Sequence, residues 1–351
     1  MCMESFYQKQ PSMQNIADSL SLFESCLKAR LNDVSLSNTQ AYRLYNGFYE
    51  GIPGLIVDRF AQTLLIKNFA RQPQRLEDLI QPSVDFYKKN MSDINAVLLK
   101  TRHATEESQR VGQIIEGEPD QEILENGNRY SLDLQLNQDD GFYLDTRNLR
   151  QWLSDNIKDK TLLNTFAYTG ALGIAALAGG ASTVIQTDLN AKYLQIAKNS
   201  ANFQNKDGKH KILASDFFKQ MARFKNQNIL FDAIIIDPPL YSKTQAGEVS
   251  LLNNWQKLVN KVRPLVADEG HLILINNALY LPGETLYTQI QKMCETGYME
   301  IEEIIDIPQD ITGYPHTIKA HPLIDPKPYN HPTKITITRV KRKDGRRASQ
   351  F

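Results

Sequence analysis

A short amphipathic helix is the first element that the pattern of apolar positions predicts. Within residues 15–32, apolar side chains recur at the spacing of three or four residues that lines one face of a helix. These side chains are Ile16, Leu20, Phe23, Leu27 and Leu31. We therefore expect a helical segment over residues 1–35 to open the fold.

The next hundred residues have the pattern of a small α+β domain. Apolar runs typical of strands alternate with turn residues, for example at Glu50-Gly51-Ile52-Pro53. The predicted strands cover 41–48, 54–57, 63–68 and 96–100, with a helix over 73–89 and a turn-rich stretch over 112–127. Together these elements predict a separate domain over residues 36–135.

From residue 145 onward, short strands alternate with longer helical stretches. The predicted strands are 162–165, 183–187, 211–214, 233–236 and 271–275, and the predicted helices are 171–178, 190–205, 249–266 and 284–296. Strands that are apolar on both faces and alternate with helices predict a doubly wound α/β fold with a mostly parallel sheet. The runs 299–307 and 334–340 are expected to add an antiparallel edge, which makes seven strands. We predict this domain over 136–340 and a basic tail over 341–351.

Composition narrows the class of protein. The 351 residues suggest two domains, and 41% hydrophobic against 23% charged residues allow a sizeable core. With 40 basic and 40 acidic residues, the chain is not a globally basic nucleic-acid coat protein. Three distant cysteines give neither a disulfide framework nor a paired zinc signature. Because no apolar run approaches about 20 residues and no export signal is recognisable, we expect a cytoplasmic protein.

Candidate binding residues follow the first three strands of the predicted sheet, where such folds bind their ligands. The loop Asn164 to Gly170 leads into a helix, and Gly170 allows both a sharp turn and a close approach to a ligand. Asp188 is placed to accept the hydroxyls of a ribose, and a cap of the following helix is the less favoured alternative. Asp216 and Phe217 can hold an adenine edge and ring, or be a helix cap followed by a core aromatic residue.

The fourth strand ends in the most specific signal of the chain, Asp237-Pro238-Pro239-Leu240-Tyr241. Two consecutive prolines remove two backbone donors and stiffen the loop. A carboxylate, unpaired carbonyl groups and an aromatic ring in such a loop can grip the edge and face of a planar base. An ordinary stiff turn after a strand is the alternative.

Several separated segments together resemble one enzyme family. They are Tyr42-Arg43-Leu44, the run Gly51 to Arg59, Gly141-Phe-Tyr-Leu-Asp145-Thr-Arg147, the run Leu163 to Gly170, and Asp237-Pro-Pro239. With these segments the chain resembles class I S-adenosylmethionine-dependent methyltransferases, and more narrowly the bacterial large-subunit (23S) ribosomal RNA methyltransferases of the K and I types. The resemblance implies a Rossmann-like methyltransferase sheet, S-adenosylmethionine as cofactor, and ribosomal RNA or a large-subunit precursor as partner.

The resemblance also implies roles for individual residues. Arg147 would pair with the carboxylate of the cofactor, Asp188 would bind the ribose, and Asp237 would stand beside the transferred methyl group. The full set implied for the cofactor is Asp145, Arg147, Asn164, Phe166, Tyr168, Thr169, Gly170, Asp188, Leu189, Asp216, Phe217 and Asp237. For Asp145 and Arg147, a surface ion pair at a helix start is the alternative.

The residues after the fifth strand bear on the acceptor atom. Methylation of cytosine carbon 5 needs a thiolate that adds to the ring, yet this place contains Asn276-Asn277-Ala278. An asparagine pair here resembles the K type, which methylates guanine N7. That atom carries a lone pair and no proton, so alignment of donor and acceptor supplies most of the catalysis. Asp237, Pro238, Pro239, Asn276 and Asn277 are the candidate catalytic residues, and methylation of an exocyclic amine remains the nearest alternative.

The contacts with RNA are less well defined. Tyr241 and the basic residues Arg339, Lys341 and Arg342 are candidate RNA contacts, and the domain over 36–135 is a candidate RNA-binding module. Three histidines, His316, His321 and His331, lack the spacing of zinc ligands, so we expect no metal. Two functions of other classes stay open. One is a non-catalytic RNA-binding or ribosome-assembly protein, and the other is a nucleotide-dependent oxidoreductase, against which the missing Gly-x-Gly-x-x-Gly motif argues.

Overall fold

The computed structural model describes residues 16–204, 208–252 and 255–350. Parts of four predicted segments lie outside these residues: positions 1–15 with Cys2, the end of the helix predicted over 190–205, residues 253 and 254, and Phe351. The described chain forms two compact units. The first takes in the residues up to Gly127 together with 132–144 and 309–321, and the second takes in 128–131, 145–308 and the chain from Pro322. The sequence placed a single boundary at 135, whereas the chain crosses between the units several times.

The first unit is an α+β fold around a five-stranded sheet. Its strands are β1 (Ala41–Asn46), β2 (Leu55–Phe60), β3 (Thr63–Asn68), β4 (Ala96–Thr101) and β5 (Gln113–Glu116), which neighbour one another in that order. Its helices are α1 (Ile16–Leu31), α2 (Gly47–Glu50), α3 (Glu77–Asn90) and α4 (Glu107–Val111), and it also holds β6 (Glu122–Glu125) and a short helix at Gln309–Thr312. The middle of the predicted apolar face of α1 packs into the core of this unit through Leu20, Phe23 and Leu27, whereas Ile16 and Leu31 at the two ends of the helix are 44% and 65% exposed.

The second unit contains the larger sheet and its helices. Its strands are β7 (Asn128–Ser131), β8 (Thr161–Thr165), β9 (Thr183–Asp188), β10 (Lys209–Ala214), β11 (Phe231–Ile236), β12 (Tyr241–Thr244), β13 (Gly247–Ser250), β14 (Val266–Asn276), β15 (Met299–Ile305) and β16 (Lys334–Val340). Its helices are α5 (Arg147–Asn156), α6 (Ala171–Ala178), α7 (Ala191–Asn202), α8 (Phe217–Asn226), α9 (Trp255–Val262) and α10 (Gly283–Cys294).

Seven of these strands form one sheet in the order β10-β9-β8-β11-β14-β16-β15. The first five are parallel, and β16 runs antiparallel to both of its neighbours. The predicted doubly wound, mostly parallel sheet of seven strands is therefore confirmed. The expected antiparallel edge is wrong in detail, because the antiparallel strand β16 is interior and the edge strand β15 runs with the parallel set.

The order of the strands places a crevice between β8 and β11. From β8 the chain winds outward through β9 to β10, whereas from β11 it winds the other way to β14. Right-handed crossovers in opposite directions put their helices on opposite faces, so the loops after β8 and β11 diverge. Thr165 and Leu274 are both register partners of Ile236, so the carboxyl ends of the three central strands lie side by side.

The helices and strands predicted for the second unit do not include α5, α8, β7, β12 and β13. The helix predicted over 249–266 is shorter than expected, because its first residues belong to the hairpin of β12 and β13. Val249 and Leu251 are buried at strand spacing, and only the following apolar residues have helical spacing. Among the described residues, no helix combines the length and the apolar character needed to cross a membrane.

Candidate active site

The loop after β8 makes a sharp turn with three residues in the left-handed region. The φ angles are 53° at Phe166, 50° at Tyr168 and 80° at Gly170. Non-glycine residues in this region cost energy, and such strain collects at functional sites. The Ala167 N–H donates to the Thr187 carbonyl at 2.9 Å, and this hydrogen bond ties the turn to the end of β9.

Gly170 is required where this loop enters α6. A Cβ atom here would lie 2.4 Å from the Cβ of Ala197 and 2.7 Å from the Nε2 of Gln186. The buried Asn164 side chain donates to the Oε1 of Gln186 at 2.9 Å, while the Oδ1 atom of Asn164 has no hydrogen-bond partner among the described residues. Thr169 is buried beside them. Only glycine therefore lets the start of α6, whose first backbone N–H groups have no partner within the helix, pack this closely against Ala197 and Gln186.

Asp188 holds the loop after β8 in place from the end of β9. Its Oδ2 accepts the Tyr168 N–H and its Oδ1 accepts the Asn190 N–H, both at 2.9 Å. The alternative in which Asp188 caps α7 is wrong, because Asn190 is the capping residue. The carboxylate is half-buried, and the next side chain, Leu189, is 64% exposed.

Asp216 caps α8 and is bound by the hairpin as well. One carboxylate oxygen accepts the Lys219 N–H at 3.1 Å, and the other accepts the Thr244 hydroxyl at 2.6 Å. Phe217 is buried and stacks on Phe166 with 4.6 Å between ring centroids. The alternative, in which Asp216 caps a helix and Phe217 is a core aromatic residue, therefore describes both residues correctly.

A pair of carboxyl groups stands at the start of α5 and the end of β11. Asp237 is partly buried, and desolvation together with the charge of Asp145 raises its pKa to about 7. Asp145 accepts the Thr333 hydroxyl at 2.8 Å. Arg147, two residues on, is 4% exposed, so the alternative of a surface ion pair is wrong for this residue.

The loop that continues from Asp237 turns outward. Pro238 is buried, Pro239 is exposed, and Tyr241 is 59% exposed at the start of the hairpin. The exposed ring of Tyr241, in a loop that begins at Asp237, is available to stack on a planar ligand.

Asn276 is the last residue of β14, the strand that neighbours β11. Its side chain is 1% exposed, and its Oδ1 accepts the Ala278 N–H at 3.0 Å. The Nδ2 group has no hydrogen-bond partner in the described part of the chain. Asn277, by contrast, is exposed. An amide with both hydrogens unused in a buried setting is suited to a ligand acceptor atom.

Lys334 is a functional candidate that sequence reasoning missed. This side chain is 1% exposed and donates to the carbonyl oxygens of Pro332 at 2.6 Å and Ala278 at 3.1 Å. Burial lowers its pKa to about 8. Lys334 lies beside the loop after β14 because β16 pairs with β14, which sets Lys334 opposite Asn276.

The basic residues proposed to contact RNA lie at the other end of the sheet. Val340 pairs with Gly270 at the start of β14, whereas Lys334 pairs with its end. Arg339 forms an ion pair with Glu302, Lys341 with Glu300 at 2.7 Å, and Arg342 with Asp344 at 2.7 Å. The structure therefore does not bring these three residues together with Asp237, and acidic neighbours offset their charge.

The two cysteines that the structure describes lie away from this loop cluster, whereas His331 contacts it through Thr333. Cys294 lines a cavity of about 490 Å³ with Met299, at the amino end of β15, and burial raises its pKa. Cys26 is buried in the first unit. His331 accepts the Thr333 N–H through Nδ1 at 3.0 Å. Among the described residues, no group of three or more His, Cys, Asp or Glu side chains is arranged to hold a metal ion.

Relatives of known name extend the family resemblance. The profile of the S-adenosylmethionine-dependent methyltransferase family matches residues 56–310. Ribosomal RNA large subunit methyltransferase I of Aliivibrio fischeri (strain MJ11) is 31% identical over 254 residues, or 71% of this chain and 63% of that protein. YwbD of Bacillus subtilis is 29% identical over 274 residues, or 74% of this chain and 66% of that protein. The chain therefore spans less than two thirds of the length of either relative.

A solved structure shares the fold. The crystal structure of SMU.776 complexed with SAH gives a TM-score of 0.80 at 22% identity and covers 94% of this chain and 83% of that one. In this chain the strained loop after β8 and the acids at the ends of β9, β10 and β11 lie at the carboxyl edge of the parallel strands. Because the family profile matches well over half of its residues, the chain belongs to the S-adenosylmethionine-dependent methyltransferase family.

Proposed function

We propose that this protein methylates a base of large-subunit ribosomal RNA, with guanine N7 as the preferred acceptor atom. One observation carries the proposal. Asp237 directly follows β11, and Asn276, whose amide N–H groups have no partner among the described residues, ends the neighbouring strand β14, at the edge where β8 leads to Gly170 and β9 ends in Asp188. The name of the Aliivibrio relative assigns that protein to large-subunit ribosomal RNA, which supports the same acceptor here.

The cofactor side is proposed to consist of the loops after β8, β9 and β10 with the start of α5. When bound, S-adenosylmethionine supplies a methyl group on a positively charged sulfur. Gly170 lets α6 begin directly after the loop, so that its N-terminal N–H groups lie close to the methionine part. Asp188 has lone pairs left for ribose hydroxyls, and Leu189 offers an exposed apolar surface. The proposed set is Asp145, Arg147, Asn164, Phe166, Tyr168, Thr169, Gly170, Asp188, Leu189, Asp216, Phe217 and Asp237.

The acceptor side is proposed to consist of Asp237, the two prolines, Tyr241 and the asparagine pair. Guanine presents N7 and O6 side by side as acceptors. The Asn276 amide donates to O6, Tyr241 stacks on the ring, and the Asp237 carboxylate balances the positive charge that develops on the purine. No proton leaves N7, so this reaction requires no general base.

A second acceptor is favoured by one specific observation. The pKa of Asp237 is raised to about 7, the range in which a carboxylate works best as a general base at neutral pH. Methylation of an exocyclic amine releases a proton that this group can accept. Cytosine carbon 5 is disfavoured, because Cys294 lies at the opposite end of the sheet and Cys26 is buried in the other unit.

Nucleoside analysis of treated RNA tests the proposal. The full chain is incubated with unmodified 23S ribosomal RNA and isotope-labelled S-adenosylmethionine, and the digested nucleosides are separated by mass. Labelled 7-methylguanosine supports N7, whereas a labelled N2-methylguanosine or N6-methyladenosine supports the exocyclic alternative. Tight binding of S-adenosylmethionine and RNA without any label in the RNA would favour a non-catalytic RNA-binding protein.

A further inference from the structure

The hairpin of β12 and β13 connects the two sides of the proposed site. It begins four residues after Asp237 and stands outside the seven-stranded sheet. Four register pairs run from Tyr241 opposite Ser250 to Thr244 opposite Gly247. The Leu251 N–H donates to the Leu240 carbonyl at 3.1 Å and closes the base of the hairpin. A short, closed hairpin of this kind moves as one piece with the loop from which it starts.

The tip of this hairpin contacts the segment after β10. The Thr244 hydroxyl donates to the Oδ2 of Asp216 at 2.6 Å. The Phe218 ring packs on the backbone of Gly247 so closely that a Cβ atom there would lie 2.5 Å from the ring. These two contacts fix the tip to residues 216–218, the segment proposed to face adenine.

The two oxygens of Asp216 have different partners. Oδ1 accepts the Lys219 N–H and is part of the cap of α8, whereas Oδ2 accepts only the Thr244 hydroxyl among the bonds that the described residues make. A carboxylate oxygen has about two lone-pair sites, so Oδ2 retains one for a ligand donor. The Thr244 bond therefore fixes the direction in which that remaining site points.

We propose that Thr244 is a positioning residue that aims the Asp216 carboxylate at the amino group of the adenine ring of the cofactor. This inference rests on the proposed function, because it takes Asp216 as the residue that contacts adenine. The hydroxyl acts through Asp216 and touches no reacting atom. Its role is to raise the affinity for the nucleoside part of the cofactor.

Cofactor affinity of matched variants tests the role of Thr244. We measure the Kd of S-adenosylhomocysteine by calorimetry for the full chain, for Thr244→Val, which keeps the shape but not the donor, and for Thr244→Ser, which keeps the donor. We expect Thr244→Val to raise the Kd about fivefold, as the loss of one charge-assisted hydrogen bond allows, and Thr244→Ser to bind like the wild type. Ser242→Ala removes a hydroxyl from the same strand and should leave the Kd unchanged.

A double-mutant cycle separates this role from general damage to the hairpin. If Thr244 acts through Asp216, Thr244→Val adds no further loss in an Asp216→Asn background. An equal Kd for Thr244→Val and the wild type, or a full additive loss in the Asp216→Asn background, would overturn the inference. A wild-type chain that binds no S-adenosylhomocysteine would overturn the proposed function itself, so the two failures are distinguishable.

Discussion

Replacing Asp237 by asparagine should stabilise the fold while it removes activity. The pKa of this carboxyl is raised to about 7, with burial as the larger cause and Asp145 as the second. In an unfolded chain the same group has a pKa near 3.9. The folded state therefore binds the proton more tightly, and the stability that this proton contributes is present below pH 4 and lost as the pH rises through 7.

The size of the effect follows from the difference between the two pKa values. At about 1.4 kcal/mol for each tenfold change in affinity, the ionised carboxylate costs the fold up to about 4 kcal/mol above pH 7. Partial exposure to water at the crevice reduces this value, so we expect Asp237→Asn to gain about 1–3 kcal/mol at pH 8. The same change should lower methyl transfer by about a hundredfold or more, since it removes charge that opposes the charge developing on the acceptor.

Urea unfolding followed by the fluorescence of the two tryptophans measures the stability from pH 4 to pH 8.5. The gap between Asp237→Asn and the wild type should be small at pH 4, grow through the range below pH 7 and then level off. Asp306→Asn is the matched control, because Asp306 is exposed in the same unit. A gap that does not change with pH, or an asparagine variant that is less stable than the wild type at pH 8, would show that Asp237 is not held in an unfavourable ionised state.

Three further changes test the surroundings of the same edge. Gly170→Ala should lower the free energy of unfolding by about 2 kcal/mol or more and abolish binding of S-adenosylhomocysteine in calorimetry. The reason is that the φ of 80° and the 2.4 Å approach of the Ala197 Cβ leave no room for a methyl group. The control is Gly180→Ala, at a φ of 95° with no atom nearer than 3.4 Å, which should lower the free energy of unfolding by only about 1 kcal/mol and leave binding intact. Burial lowers the pKa of Lys334 to about 8, so the unfolded chain binds this proton more tightly than the folded chain between pH 8 and about 10.5. The free energy of unfolding should therefore rise by up to about 3 kcal/mol across that range. Lys334→Met should lack this rise in urea titrations, and an unchanged rise would refute the lowered pKa of Lys334. Asn276→Ala removes the hydrogen bond from the Ala278 N–H and should lower the free energy of unfolding by about 1 kcal/mol. Methyl transfer to RNA should nevertheless fall at least tenfold at saturating cofactor. Full activity of this variant would exclude Asn276 from the acceptor site.

The elements that were predicted well are those in which the spacing of apolar residues along the chain agrees with their burial in the fold. The strands β3 and β16 and the helix α6 have the bounds that the sequence indicated, and α6 is flanked by Gly170 and Gly179. The acids at the ends of β9, β10 and β11 could be placed on one edge from the alternation of strands and helices alone. Their position in the chain, and not their chemistry, made them predictable.

What escaped prediction depends on pairing between distant segments. No local pattern indicates that β16 inserts between β14 and β15, because the choice of strand partner is made by the whole sheet. That insertion also brings Lys334 beside Asn276 and Thr333 beside Asp145. A lysine and a threonine in a polar stretch have no sequence signal that distinguishes them from surface residues.

The basic run near the C-terminus illustrates the same limit for charge. Read along the chain, Arg339, Lys341 and Arg342 form a positive cluster that suggests phosphate contacts. In the fold, Glu302 and Glu300 of the neighbouring strand β15 pair with Arg339 and Lys341, and Asp344 pairs with Arg342. Because opposite charges on paired strands offset one another within one sheet, the field that an RNA would experience depends on strand pairing. A cluster of one sign in the sequence therefore predicts a binding surface only after the partner strand is known.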